Sequence, residues 1–139
     1  AYHIPVYAAE AEKETMQDAS INLSINMGGA MLSVEADHWL KDGETITLLD
    51  QEVRCILTPG HTVGGMCFYF PKAGMLFSGD TLFQESVGRT DFPGGSMSEI
   101  VRSIREKLFV LPDAVQVYPG HGLMTSIKNE KMFNPFAVE

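Results

Sequence analysis

Two Pro-Gly-His tripeptides, Pro59-Gly60-His61 and Pro119-Gly120-His121, stand directly after runs of strand character. An acidic residue, Asp80, ends a third such run in Phe77-Ser78-Gly79-Asp80-Thr81. Proline fits position i+1 of a type II turn and glycine the next position at positive φ, so both histidines are expected to leave similar turns, aimed by a stiff backbone. Two imidazoles and a carboxylate at the ends of separate strands suit zinc, iron or manganese. Singly these signs are weak, because a Gly-Asp pair usually marks a turn. Three strand-end donors in one short chain make metal chemistry the reading to pursue.

Such donors meet only if a sheet carries them. Ile4 to Ala8 reads as a strand, Ala9 to about Ala19 as an exposed helix of good helix formers, and Ser20 to Ala36 as a loop. Asp42-Gly43 marks a turn, and Thr45 to Leu49 alternates as a strand. Asp50-Gln51 then leads into Glu52 to Thr58, where Val53, Cys55 and Leu57 share one face and Arg54 and Ile56 the other. Met66 to Phe70 and Met75 to Ser78 flank Pro71-Lys72-Ala73-Gly74, which predicts a second hairpin. Ser96 and Glu99 have capping-box spacing ahead of Ile100, Ile104 and Leu108, so a helix is expected over 98–109. A strand over 114–118 and a helix from Ser126 to Phe133, ahead of Pro135, complete an α+β layered reading.

Composition narrows the function. The chain of 139 residues is the size of one domain, and its 45% hydrophobic content predicts a folded core. A net charge of −8 without a basic cluster argues against nucleic acid or an anionic membrane surface as partner. The apolar runs are far shorter than the roughly 20 residues of a membrane helix. Cys55 and Cys67 lack zinc-knuckle spacing and are expected to be buried reduced thiols, which with the lack of a secretory signal at the start of the sequence points to the cytoplasm. His3 and His38 have no ligand-like setting, and the dispersed methionines read as gap-fillers.

Together, Thr58-Pro59-Gly60-His61-Thr62, Phe77-Ser78-Gly79-Asp80-Thr81 and Tyr118-Pro119-Gly120-His121-Gly122 resemble three metal-binding motifs of the metallo-β-lactamase superfamily, in order and context. Ser86 to Gly95 is similar to the segment after the bridging aspartate in small hydroxyacylglutathione hydrolase-like (glyoxalase II-like) enzymes. The resemblance runs along essentially the whole chain. It implies an αββα sandwich with two metals at one edge, zinc above all with iron or manganese as alternatives. His61 would complete the ligand set of the first metal and His121 that of the second. Asp80 would bridge them as the catalytic residue, with a hydroxide held between the metals as nucleophile on a small-molecule thioester or ester.

The His-x-His-x-Asp-His motif that supplies the other ligands in this family occurs nowhere in the sequence. Opening on Ala1 in a strand-like run, residues 1–139 are therefore expected to be the C-terminal portion of a single metallo-β-lactamase-fold domain, an incomplete sandwich, inactive and with partial metal occupancy or none. An uncovered sheet face predicts a homodimer or a complex with the missing N-terminal segment. Arg89 is a candidate to hold an anionic substrate group, or else to pair with Asp91, and Thr62 and Thr81 are candidates to orient ligands or to cap turns. The competing readings are a one-iron oxidoreductase resembling persulfide dioxygenases and a non-catalytic module completed by another chain.

Overall fold

In the computed structural model, which describes residues 4–18 and 35–137, the alternating runs pair as expected. β1 (Tyr7–Ala9) lies parallel to β2 (His38–Leu40) as a small separate ladder. The strand expected from Ile4 begins only at Tyr7, where pairing with His38 becomes available. A 3₁₀ turn over Glu10–Glu12 leads into α1 (Lys13–Gln17). That is shorter than the helix expected to reach Ala19, which with His3 and most of the predicted loop lies outside the described residues.

β3 (Thr45–Leu48) and β4 (Gln51–Leu57) form the predicted hairpin, with the turn one residue earlier than expected. Leu49 and Asp50 both have positive φ, 51° and 60°, as a two-residue hairpin turn of the I′ kind requires at its centre. Leu49 is drawn out of the strand and left exposed. β5 (Met66–Phe70) and β6 (Met75–Gly79) make the second hairpin, turning at Gly74 with φ of 63°.

Two short strands, β7 (Leu82–Phe83) and β8 (Ser86–Val87), pair with each other before α2 (Met97–Ser103). The Ser96 side chain caps α2, accepting the Glu99 backbone N–H at 3.3 Å. A π turn over Ile104–Leu108 continues it, so the helix expected over 98–109 widens in its last turn, the Phe109 N–H reaching Ile104 O at 2.9 Å. β9 (Gln116–Pro119), β10 (Thr125–Ser126) and α3 (Ile127–Phe133) follow, α3 being capped by Ser126.

The main sheet runs β10-β9-β6-β5-β4-β3, antiparallel except for the parallel β6–β9 pair. Register places Ile56, Cys67, Tyr69, Leu76 and Val117 in line on one face. There they meet the fully buried Ile100, Ile104 and Leu108, spaced at four residues, and Ile127 from α3. The opposite face carries Ile46, Phe68, Phe70, Phe77 and Tyr118, with Phe77 edge-on to Phe70 at 5.4 Å and stacked on Tyr118 at 5.5 Å. A sheet apolar on both faces belongs to a layered α+β arrangement. Cys55 and Cys67 are buried free thiols, as expected. Among the described residues no helix is long and apolar enough to cross a membrane.

Candidate metal centre

Each of the three expected donors leaves the C-terminal end of a main-sheet strand: His61 after β4, Asp80 after β6 and His121 after β9. Parallel pairing sets β6 and β9 side by side, and the ladder continues past the strand ends, the Gly120 N–H donating to Gly79 O at 2.8 Å. Asp80 and His121 are therefore neighbours in space, and His121 Nδ1 lies 2.9 Å from Asp80 Oδ1. On the other side, His61 Nε2 lies 3.5 Å from Asp80 Oδ2. The carboxylate sits between two imidazoles, one oxygen toward each.

The two Pro-Gly-His turns are not alike, contrary to expectation. Gly60 has φ of 143° and packs against α2, where an added Cβ would stand 2.3 Å from Ile100 Cβ. The Ser96 N–H donates to Gly60 O at 2.7 Å, and Ser103 Oγ donates to Pro59 O at 2.8 Å, so α2 clamps the first turn. Gly120 has no positive φ, which falls instead on Gly122 at 80°. Its requirement is closeness, because a Cβ there would stand 3.1 Å from Asp80 Oδ1. One glycine is demanded by the helix, the other by the carboxylate.

The His61 ring is oriented by a backbone group. Its Nδ1 lies 2.7 Å from the carbonyl oxygen of Arg89, which can only accept, so Nδ1 carries the proton. Nε2 is then the ring nitrogen turned toward a carboxylate oxygen. At 3.5 Å the two atoms are too far apart for a good hydrogen bond, but they suit a shared cation, around which tetrahedral ligands with bonds near 2.1 Å stand about 3.4 Å apart. His121 Nδ1 and Asp80 Oδ1, at 2.9 Å, are instead hydrogen-bonded directly to each other, and would have to part slightly to share a cation. Among the described residues no group of three or more His, Cys, Asp or Glu side chains is arranged to hold one metal ion. The donors fit as two pairs sharing Asp80, each pair short of the three or four ligands a zinc ion takes.

Beneath the centre, Thr58 Oγ1 and Thr81 Oγ1 are 3.0 Å apart and buried, joining the ends of β4 and β6. Thr81 thus braces the site from below. Thr62 instead bonds through its hydroxyl to Glu12 Oε1, which also accepts the Gly64 N–H at 3.0 Å and ties the first histidine turn to the 3₁₀ turn. The Arg89 side chain turns outward. Its guanidinium donates from Nε and Nη2 to the two oxygens of Asp91, both at 2.7 Å, and covers the Phe92 ring at 3.9 Å. The hydrogen bond from Arg89 holds the Asp91 carboxyl at about 2, below the usual range. His38 stacks on Tyr7 at 4.6 Å, away from the centre.

Sequence reasoning missed the Arg89 carbonyl, Thr58, Glu12 and Gly88. An added Cβ on Gly88 would meet Asp80 O at 1.7 Å and His61 Cβ at 3.2 Å. The Gly88-Arg89 pair was a usable signal for close approach, whereas a carbonyl oxygen leaves no trace in residue type. A cleft of about 430 Å³ opens beside His121, lined by Phe83, Gln84, Gly122 and Leu123.

Comparison with known proteins identifies the family and the fold. Residues 1–121 match the metallo-beta-lactamase superfamily. YqgX of Bacillus subtilis (strain 168), a probable metallo-hydrolase, is 37% identical over 136 residues, covering 97% of this chain and 64% of that protein. The hydroxyacylglutathione hydrolase GloC of Haemophilus influenzae is 41% identical over 101 residues, covering 72% of this chain and 48% of that protein. The matched region thus spans 48% to 64% of the length of these relatives. The crystal structure of the BLEG-1 B3 metallo-beta-lactamase superposes with a TM-score of 0.88 at 37% identity, over 98% of this chain and 66% of that one. TTHA1623, in a di-iron-bound form, superposes with a TM-score of 0.80 at 31% identity, over 96% of this chain and 65% of that one. This chain belongs to the metallo-beta-lactamase superfamily.

Proposed function

We propose that this chain carries one half of the metal-ligand set of a hydrolase that cleaves a small thioester or ester, with His61, Asp80 and His121 as ligands. Asp80 is the shared, catalytic member. The observation that carries this reading is Nε2 of His61, fixed by the Arg89 carbonyl and facing Asp80 at 3.5 Å while His121 meets the other oxygen. Paired cations in such a site lower the pKa of bound water and polarise a carbonyl. Zinc is the first expectation for these donors, with iron or manganese as alternatives, and the di-iron form of TTHA1623 supports iron. The likeness to the hydroxyacylglutathione hydrolase GloC supports a glutathione thioester as substrate.

The chain's own contribution is positional. The His61 ring keeps Nε2 toward the centre, and the Asp80 carboxylate would offset the charge of bound cations. Phe83 and Leu123 give the adjoining cleft an apolar wall and Gln84 a single amide with which to orient a substrate. Arg89 reaches an anionic substrate only by releasing Asp91.

Two donors per cation leave each metal under-coordinated, so the centre is completed by donors outside the described residues, and the chain alone is inactive. The apolar face around Ile46, Leu48, Phe68, Phe70 and Phe77, with its cleft of about 380 Å³, supports association with a second copy or with a segment bearing those donors. The free buried thiols support a cytoplasmic home. Zinc titration of the purified chain, with Asp80→Ala and His121→Ala beside it, tests the ligand set. Weak zinc binding that is lost in both variants is expected, and unchanged binding in Asp80→Ala overturns the reading. Metal analysis of an active complex tests the chemistry, since a single iron with oxygen consumption points to an oxidoreductase.

A further inference from the structure

Glu130, on α3, is fully buried, and the centre described above makes no use of it. Its carboxylate is surrounded by donors. Oε1 accepts the Glu85 backbone N–H at 2.7 Å and Asn134 Nδ2 at 3.0 Å, while Oε2 accepts Thr125 Oγ1 at 2.6 Å and Asn129 Nδ2 at 2.9 Å. One turn further along α3, Asn134 is also fully buried, and its Nδ2 donates in addition to Ser86 O at 3.0 Å. Glu130 and Asn134 therefore grip the backbone of consecutive residues, the Glu85 N–H in the turn and the Ser86 carbonyl at the start of β8.

That tip needs holding. Glu85 has φ of 53°, a conformation that costs a non-glycine residue on the order of 1 kcal/mol. A two-stranded ladder of two residue pairs is not stable by itself. The hairpin carries Phe83, whose ring lies 6.2 Å from that of His121, and Gln84, both lining the cleft at the metal centre. A buried carboxylate with four donors and no cation among its hydrogen-bond partners is an expensive way to fill space, since an apolar side chain of similar volume would serve packing equally well.

We propose that Glu130 and Asn134 are positioning residues that set the Phe83–Gln84 wall of the substrate cleft, so that a helix bearing none of the candidate metal ligands governs substrate fit. The substrate part of this inference rests on the hydrolase reading, whereas the clamp itself stands on hydrogen bonds alone. α3 acts through the hairpin tip and touches neither metal ligand nor substrate.

The test has two arms. Amide hydrogen exchange on the purified chain compares wild type with Glu130→Gln, which keeps the shape but turns one acceptor into a donor, and with the milder Thr125→Val, which removes one hydroxyl from the carboxylate. Exchange at Glu85 and along Leu82–Val87 rises on the order of tenfold or more in Glu130→Gln, less in Thr125→Val, while Leu76 and Val117 in the sheet keep their protection. Equal acceleration at hairpin and sheet overturns the clamp. If Glu130→Gln does not fold, Thr125→Val decides the same question.

In the second arm, thioester hydrolysis by an active complex containing the chain shows KM raised several-fold in Glu130→Gln, with kcat and metal content within about twofold of wild type. A KM unchanged while the hairpin is released overturns the role in substrate fit. Lack of any thioesterase activity in the wild-type complex would sink the hydrolase reading and leave the exchange result to judge the clamp.

Discussion

Gly88 has no room for a side chain. In Gly88→Ala the new Cβ would stand 1.7 Å from the Asp80 carbonyl oxygen. An ordinary carbon–oxygen contact is nearer 3.3 Å, so the backbone must part by roughly 1.5 Å. The Gly88 N–H donates to Thr81 O at 3.1 Å, and that bond is lost as the strands separate. Overpacking of this kind costs about 1–3 kcal/mol and the hydrogen bond about 1 kcal/mol, together about 2–4 kcal/mol. For a chain of this size the melting midpoint falls by roughly 10 °C. Gly74→Ala is the control, since its Cβ meets nothing within 4 Å and only the φ of 63° is penalised, at about 1 kcal/mol. Urea denaturation of wild type and both variants reads the difference. Equal midpoints for the two variants would refute the close approach of Gly88 to Asp80, and with it the placement of the Arg89 carbonyl that orients His61.

Three further outcomes are expected. Thr58→Val removes a partner from a buried hydroxyl and costs about 1–3 kcal/mol, whereas Thr58→Val with Thr81→Val costs less than the sum of the single changes in a double-mutant cycle. Burial pushes the Cys67 thiol up to about 11 and raises that of Cys55, so Ellman's reagent at pH 8 leaves both untouched in the folded chain and labels both in guanidinium; rapid labelling of the native protein would contradict their burial. Burial acts to raise the Asp42 carboxyl, but the Leu57 N–H and the Lys107 ammonium outweigh it and hold the group below its usual range. Its contribution is thus fully present above about pH 4, the unfolded value, and is lost as pH falls through the lower folded one. The stability advantage of wild type over Asp42→Ala should therefore be level near neutrality and shrink in acid, and an advantage that grows in acid would reverse the assignment.

The elements most legible in the sequence were those whose pattern is local. Alternation over 51–57 and the Pro-Gly punctuation after Phe70 announce hairpins, because pleat and turn chemistry act within a few residues. Ser96 and Glu99 announce the start of α2 for the same reason. β2, β7, β8 and β10 were not foreseen, being two or three residues long and defined by partners elsewhere in the chain. The π turn at Ile104–Leu108 likewise answers to tertiary packing. At the candidate centre, residue type exposed His61, Asp80 and His121, since each donor is a side chain at a strand end. It could not reveal that the two Pro-Gly-His turns differ, because what separates them is a neighbour: Ile100 presses on Gly60, and Asp80 on Gly120. Nor could it foresee that Arg89 serves His61 through its main chain while its guanidinium is occupied by Asp91.

The one parallel pairing within the main sheet, β6 against β9, has a temporal consequence. His61 and Asp80 are brought together by successive antiparallel hairpins that a nascent chain can close as it leaves the ribosome. His121 reaches Asp80 only by a crossover spanning 41 residues, through the β7–β8 hairpin and α2. Contacts of such separation form late, after the loop entropy has been met. The second imidazole is consequently expected to reach Asp80 after the first, and a chain ending before Gln116 would keep His61 and Asp80 but lack the strand that brings His121 to them.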